Sequence, residues 1–183
     1  VGKKLALTGN GRCNITNNNI KLSRYHGNDV EFCRVALEKY NLDFTERFFE
    51  SIGVEFVSEG DKVYPSSFQA SSVVDCLRFA ADELGVITHL ETAVTNIQTT
   101  KNGYKIICGQ MSFYSQNVII ATGLLSGGER LGCDGKMLEI LKKAGFKTVK
   151  TSPAIVQIKT ETDVVKQLKG VKIDANATLL AED

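Results

Sequence analysis

The chain has 183 residues, 43% of them hydrophobic, so it can bury the core of one domain or of one domain and part of another. Its 22 basic and 21 acidic residues leave a net charge of +1, which gives no general attraction for nucleic acid or for an anionic membrane. No apolar run is long enough to span a bilayer, and the start of the chain shows no signal-peptide pattern, so we expect a cytoplasmic protein.

A polar loop near the start of the chain has the composition of an anion-binding site. It runs from Thr8 to Asn17, directly after the apolar run Leu5 to Leu7, which we interpret as a strand. Gly9 and Gly11 can adopt positive φ, so successive backbone N–H groups can form a concavity for an anion, with the guanidinium of Arg12 beside it. The spacing is neither that of a Walker A loop nor that of G-x-G-x-x-G. The loop predicts a phosphate site, and an ordinary connection between a strand and a helix is the alternative.

Two helices are predicted next. Apolar residues recur at helical spacing from Val30 to Tyr40, and Asn28-Asp29 can cap this first helix. Asp43 and Glu46 have the spacing of a capping box for a second helix, so we interpret Glu46 as a cap and not as a catalytic acid. The phenylalanines of that helix form one face, which predicts core rather than a cofactor cage.

A hairpin and a third helix follow. Val54 to Val57 alternates as a strand, a turn lies at 59–61, and Lys62 to Tyr64 returns as the second strand before Pro65. The apolar spacing then predicts a helix from Ser71 to Leu84 that ends at Gly85.

The middle of the chain has the pattern of strands. A short strand is predicted at Val86 to Leu90, and an antiparallel meander is predicted from Ala93 to Ile97, Tyr104 to Cys108 and Met111 to Tyr114, with Asn102-Gly103 in its first turn. Val118 to Ala121 is predicted to be a buried strand that ends at Thr122-Gly123.

The last part alternates between helix and strand. Asp134-Gly135 can cap a helix that runs through Ala144, and the N-terminus of this helix favours an anion. After Ser152-Pro153 we predict a strand at 154–158, a helix at 161–168 and a strand at 175–180.

The titratable residues suggest little acid–base or metal chemistry. Five cysteines without a C-x-x-C pair predict reduced thiols, and Cys33, Cys76 and Cys108 fall in patterns of core residues. Cys13 follows Arg12, which would stabilise a thiolate, so a redox role is the alternative to packing. His89 fits a structural role, and His26 is the better candidate for a cleft. The sequence assigns no catalytic residue and no metal ligand.

Five segments in order resemble a known family. They are GKKLALTGNGRCNITN at 2–17, Phe48 to Val54, Val63-Tyr64-Pro65, Ala121-Thr122-Gly123, and Asp134-Gly135 ahead of 138–145. They are similar to the BaiN/RdsA family of FAD-dependent oxidoreductases, flavoproteins with an inserted substrate domain, and the resemblance covers most of the chain. Proteins of this family look as though they begin with a strand and a G-x-G-x-x-G turn. Neither occurs in this sequence, so the resemblance implies an internal fragment of a longer protein. Leu124 stands where the family usually has a second glycine after Ala121-Thr122-Gly123, and the next glycines come later, at Gly127-Gly128.

The resemblance implies an α/β fold. Residues 1–150 would form part of a Rossmann-like FAD/NAD(P)-binding domain of the glutathione-reductase type, with the antiparallel β-meander as its crossover. Residues 151–183 would begin the inserted substrate domain. The full-length protein would use FAD to transfer a hydride between flavin and NAD(P)H or a small organic substrate, and this fragment alone would be inactive. A noncatalytic nucleotide-binding or scaffold module is the alternative.

The resemblance also implies where the cofactor lies. Val94 would meet adenine through its main chain, Thr122-Gly123 would approach the ADP half, and Cys13 would pack near the flavin. Tyr64 either lines the cleft or caps the hairpin. The residues expected at the cofactor are Gly9, Gly11, Arg12, Cys13, Asn14, Val94, Ala121, Thr122 and Gly123.

Overall fold

The computed structural model describes residues 1–151 together with residues 171, 176 and 178. The chain divides into two units, Val1–Thr148 and Val149–Asp183, and the helices and strands described below belong to the first. The strands predicted at 154–158 and 175–180 and the helix predicted at 161–168 lie almost entirely outside the described residues. They stay predictions, as does the domain boundary after residue 150.

The described residues form four α-helices, short 3-10 segments and two antiparallel sheets. The helices are α1 Arg34–Lys39, α2 Leu42–Ser51, α3 Ala70–Glu83 and α4 Lys136–Lys143, and the 3-10 segments are Leu5–Gly11, Leu22–Arg24, Glu31–Cys33 and Glu129–Leu131. The first sheet contains β1 Thr16–Asn17, β2 Phe56–Glu59 and β3 Lys62–Pro65. The second contains β4 Asn96–Thr100, β5 Gly103–Cys108 and β6 Met111–Ser115.

The predicted hairpin is confirmed as β2 and β3 of the first sheet, in which β3 is the central strand. Glu59 pairs with Lys62, so Gly60-Asp61 form the turn between β2 and β3. The other edge of β3 pairs with β1, a strand that the sequence did not predict, and the Ile15 N–H donates to the Val63 carbonyl at 2.8 Å. The end of the polar loop is therefore fixed against the hairpin.

The predicted meander is confirmed as the second sheet, although its first strand is Asn96–Thr100 and not 93–97. The central strand β5 pairs antiparallel with β4 and with β6. Gly103 begins β5 at a φ of +136°, and a Cβ at this position would lie 2.3 Å from the carbonyl oxygen of Ser115. Only glycine lets the two strands approach so closely at this end of the sheet.

A small core joins the polar loop to α3. Its buried members are Cys13, Val54, Ala70 and Val73, and partly buried neighbours such as Leu5, Phe49 and Phe56 pack against them. Val73 of α3 is fully buried, as its apolar spacing predicts, whereas Leu84 at the C-terminal end of α3 is 83% exposed. Cys13, at 2% exposure, is a packing residue of this core.

The first two helices are confirmed with different starts. The segment 30–40 begins as a 3-10 turn, where Asp29 Oδ1 accepts from the Phe32 N–H at 3.3 Å, and continues as α1. The capping box predicted for α2 is wrong. Asn41 is the cap and accepts from the Phe44 N–H at 3.0 Å, because the helix begins at Leu42 and leaves Asp43 inside the first turn.

The interpretation of the α2 phenylalanines as core is only partly correct. Phe49 packs against the core, whereas Phe44 and Phe48 are each 47% exposed. Phe44 instead makes an edge-to-face contact with Tyr40 at a ring separation of 4.9 Å. The helical spacing of aromatic residues thus predicted the helix better than it predicted their burial.

Three predicted strands are wrong. Leu5 to Leu7 lies in the 3-10 segment Leu5–Gly11, and neither 86–90 nor 118–121 joins one of the two sheets. Ile87 is 80% exposed and Ile119 is 93% exposed. A strand needs a neighbour to pair with its N–H and C=O groups, and within the described residues no strand lies beside these segments. In this part of the chain both sheets are antiparallel, without the parallel pairing of a Rossmann core.

Candidate functional site

The polar loop has a compact conformation stabilised by its own backbone. The Cys13 N–H donates to the Thr8 carbonyl at 3.0 Å, and the Arg12 N–H donates to the Gly9 carbonyl at 3.2 Å. Asn10 and Cys13 adopt positive φ angles of 57° and 59°, which non-glycine residues keep only where packing enforces them. The buried Cys13 side chain provides that packing. Two amides that were expected to face an anion are therefore already bonded within the loop.

Arg12 contacts the hairpin and not a free anion site. Its Nη1 donates to Glu59 Oε2 at 2.9 Å, and its Nη2 donates to Tyr64 Oη at 3.3 Å. Its Cζ lies 4.4 Å from the centroid of the Tyr64 ring and 5.5 Å from that of Phe68. Tyr64 is only 3% exposed, and its ring packs against the guanidinium of Arg12. It lies within β3 and is not a turn residue that caps the hairpin. The sequence had indicated neither partner of Arg12.

A second group of predicted residues lines an open cleft of about 600 Å³. One wall is the segment from Thr92 to Thr95 before β4, and the other consists of Thr122-Gly123 with the residues around the start of α4. Val94, Thr122 and Gly123 therefore lie at one site. A volume of this size is within the range of small-molecule sites, about 300 to 1,000 Å³.

Gly123 exposes its backbone to this cleft. It has a φ of +71°, and a Cβ added there would meet only the Nζ of Lys4 within 4 Å, at 3.8 Å. Open backbone beside an ammonium group is a favourable place for a phosphate oxygen. Lys4 was missed because the sequence offers no signal that it lies near residue 123.

The start of α4 differs from the prediction of an anion-binding helix end. Asp134 Oδ1 accepts from the Lys136 N–H at 3.1 Å, and Oδ2 pairs with Lys136 Nζ at 2.8 Å. The hydrogen bond from the Lys136 side chain lowers the pKa of the Asp134 carboxyl, and the same bond raises the pKa of Lys136. The helix end thus already holds a carboxylate.

The predicted cofactor residues fall into two groups. In the described part of the chain, the residues that line the cleft include neither Ala121 nor the loop residues Gly9, Gly11, Arg12, Cys13 and Asn14. Ala121 is exposed just before Thr122. Asn14 is exposed, and its backbone nitrogen would lie 2.9 Å from a Cβ at Gly9, so the loop is too tight there for a larger residue.

The other candidate residues have simple environments. His26 and His89 are both exposed, and the ring of His89 contacts that of Phe113 at a centroid separation of 4.6 Å outside any strand. All five cysteines are free thiols. Among the described residues, no three His, Cys, Asp or Glu side chains form a metal cluster, and no helix is long and apolar enough to cross a membrane.

Comparison with known proteins identifies the family. The HI0933-like protein Rossmann domain matches residues 1–176. The chain belongs to the HI0933-like family. This match confirms the resemblance based on the Gly11-Arg12-Cys13-Asn14 loop and the motifs that follow it. The mixed helix and strand fold therefore belongs to a Rossmann-domain family.

Three relatives of this HI0933-like chain are enzymes by name. It is 33% identical over 180 residues to a 3-dehydro-bile acid delta(4,6)-reductase of Clostridium scindens. This alignment covers 98% of the chain and 44% of the relative. It is 24% identical over 172 residues to a ribosomal RNA dihydrouridine synthase of Escherichia coli, at 92% and 42% coverage. The same enzyme of Haemophilus influenzae is 25% identical over 195 residues, at 98% and 46% coverage. The chain thus spans less than half the length of these relatives.

Proposed function

We propose that the full-length protein containing this chain is an FAD-dependent oxidoreductase. The observation that carries the proposal is the HI0933-like match over residues 1–176, together with a reductase relative at 33% identity. The five free thiols fit a reducing compartment, and we propose a cytoplasmic location.

The cleft suits the adenosine and phosphate half of FAD. Val94 lies just before β4, outside the ladder that pairs β4 with β5, so its main chain is positioned to meet an adenine edge. Gly123 and Lys4 would hold phosphate oxygens through an open backbone and an ammonium group. When bound, FAD supplies the hydride chemistry, and this chain supplies binding and orientation. With the family match, we propose that residues 1–150 belong to a domain of the glutathione-reductase type and that residues 151–183 begin an inserted substrate domain.

The names of the relatives suggest a substrate class. The name of the first relative specifies a ring ketone with double bonds at positions 4 and 6 and a reduction. Dihydrouridine is uridine whose ring double bond, adjacent to a carbonyl, has been saturated. We therefore propose that the substrate is a cyclic compound with a carbon–carbon double bond conjugated to a carbonyl. A hydride would add to the β carbon and a proton to the α carbon, and NAD(P)H would replace the hydride.

The charge of the chain favours a small substrate over RNA. A net charge of +1 over 183 residues provides no excess of cations for a polyphosphate backbone. A noncatalytic nucleotide-binding module is the second candidate. It would use the same cleft, but it would take up nucleotides without flavin and would not oxidise NAD(P)H.

The test is a reoxidation experiment with the full-length protein. The protein is reduced without oxygen by NADPH or NADH and is then mixed with a cyclic 3-keto compound that has double bonds at positions 4 and 6. We expect the flavin to be reoxidised and the product to gain two hydrogens, because conjugation stabilises the charge that follows hydride addition. The saturated ketone of the same skeleton is the control and should leave the flavin reduced. Reoxidation by ribosomal RNA and not by the dienone would contradict the small-molecule assignment.

A further inference from the structure

An exposed apolar stripe runs along the first two helices. It begins in the 3-10 turn before α1, continues one turn later on α1, and reaches α2 through the edge-to-face contact between Tyr40 and Phe44 at 4.9 Å. Phe48 follows Phe44 by one helical turn, so the two side chains are neighbours on α2. The members of this aromatic stripe are Phe32, Val35, Ala36, Tyr40, Phe44 and Phe48, and all six are exposed.

The two helices already use their other faces for packing within the chain. Phe49 of α2 packs against the core, and Leu37 of α1 lines a cleft on another side of that helix. The backbone where the helices meet is satisfied, because the Phe44 N–H donates to Asn41 Oδ1 at 3.0 Å and the Tyr40 N–H donates within α1 at 2.8 Å. The stripe therefore needs an apolar surface to cover it and not a strand to pair with.

We propose that a second copy of the protein covers the aromatic stripe, so that the full-length protein is a symmetric dimer in which two stripes face each other. Closed twofold symmetry is the commonest arrangement of identical subunits, and it brings the same patch of both copies together. Each stripe is then covered by an equally apolar surface. This inference does not depend on the flavin assignment.

The charges beside the stripe suit contact with an identical surface. Three acidic and three basic side chains flank it, namely Glu31, Arg34, Glu38, Lys39, Asp43 and Arg47. Arg34 pairs with Glu31 at 2.6 Å and with Glu38 at 3.5 Å, and Arg47 pairs with Asp43. An excess of one sign would have indicated a partner of the opposite charge and would repel a second copy. Because these charges are balanced and mostly paired within the chain, two identical surfaces can meet without net repulsion.

The exposed area of the stripe is sufficient for a specific contact. Phe32 is 83% exposed, Tyr40 is 50% exposed, and Phe44 and Phe48 are 47% exposed each. An aromatic side chain carries about 200 Å² of surface, so these four expose roughly 450 Å² in one copy. Val35, at 73% exposure, adds to this area. Two copies would together bury roughly 1,000 Å², the area that a specific interface needs.

The test is the oligomeric state of the full-length protein, measured by sedimentation velocity over a range of protein concentrations. We expect the wild type to form a dimer with a dissociation constant in the micromolar range. Phe32→Asp and Phe44→Asp should each raise this constant at least about a hundredfold, because every dimer carries the new charge twice in an apolar contact. Both variants should fold, since Phe32 is mostly exposed and an acidic residue suits the first turn of α2.

Phe79→Asp is the matched control, because Phe79 is 60% exposed, belongs to α3 and lies outside the aromatic stripe. It should form dimers as the wild type does, and thermal melts should show that all variants are folded. A dimer that persists unchanged in Phe32→Asp and Phe44→Asp would overturn the proposal. Equal weakening by Phe79→Asp would overturn it as well, since the effect would then not be specific to the stripe.

Hydrogen exchange of residues 32–48 identifies what covers the stripe. In a dimer of the proposed kind, the protection of these amides should rise with protein concentration and should be lost in Phe44→Asp. A wild type that stays monomeric at every concentration would overturn the proposal. Strong protection of the same amides in that monomer would show that the remainder of a longer chain covers the stripe instead.

Discussion

Gly123→Asn is expected to weaken FAD binding by the full-length protein at least about tenfold while leaving the protein folded. Gly123 has a φ of +71°, and a Cβ added there would meet only Lys4 Nζ within 4 Å. Asparagine tolerates this backbone conformation better than other side chains do, so the fold should persist. Its side chain would fill the space beside Lys4 where a phosphate oxygen is proposed to lie. Loss of charge-assisted contacts worth about 1.5 to 3 kcal/mol each corresponds to at least a tenfold loss of affinity.

Gly85→Asn is the matched control for this prediction. Gly85 has a φ of +69°, has nothing within 4 Å of an added Cβ, and does not line the cleft. Both variants are purified in parallel, and their flavin content and FAD dissociation constants are compared with those of the wild type. Equal flavin content in all three proteins would show that the Gly123 side of the cleft does not hold the cofactor.

Residues 1–183 produced alone are expected to aggregate and to bind FAD at least about a hundredfold more weakly than the full-length protein, the effect expected when residues outside this segment supply two further charge-assisted contacts to the cofactor. Large apolar side chains are exposed in this structure. They include Ile87 at 80%, Leu90 at 64%, Ile119 at 93% and Leu125 at 68% exposure. Exposed apolar surface of this kind promotes association between chains. The relatives are more than twice as long as the chain, so further residues are available to cover these side chains in a protein of that length.

The experiment records FAD binding by flavin fluorescence and the thermal melt of the same sample. A maltose-binding fusion partner, cleaved immediately before each measurement, would supply enough soluble chain. Affinity equal to that of the full-length protein together with a cooperative melt would contradict this prediction. The cleft at Val94 and Gly123 would then be sufficient for binding, and the exposed apolar residues would not be sites of association.

Elements with local signals could be predicted from the sequence. The hairpin at β2 and β3 follows from alternation on both sides of a turn, and α3 follows from its apolar spacing. The meander follows from three alternating runs and the turn before Gly103. In each of these elements the hydrogen bonds connect residues close in sequence, so the pattern of a short segment determines the structure.

Features that depend on distant partners could not be predicted in this way. β1 exists only because β3 is beside it, and Arg12 finds Glu59 across 47 residues. The segment 118–121 was predicted to be a strand from its apolar pattern, but it forms none. A strand needs a neighbouring strand to pair with, and the described residues provide none beside this segment. The sequence does not distinguish Asn41 from Asp43 as the N-cap of α2, because Asp43 and Glu46 have the spacing of a capping box and Asn41 is an equally suitable cap residue.

The candidate site was predictable in part and by resemblance. Val94 and Thr122-Gly123 came from similarity to a family and lie at one cleft. Lys4 and Glu59 carried no signal, because their importance depends on which distant residues they approach. The polar loop is indicated both by its composition and by the resemblance, but neither reveals that Arg12 is paired with a carboxylate.

The most direct test of the central claim is the cofactor content of the purified full-length protein. We predict a yellow protein that shows the absorption bands of oxidised flavin, releases stoichiometric FAD on denaturation, and is bleached by NADPH or NADH without oxygen. A colourless protein that takes up no FAD on titration would contradict the account, and nucleotide binding without flavin by that protein would favour the noncatalytic module instead.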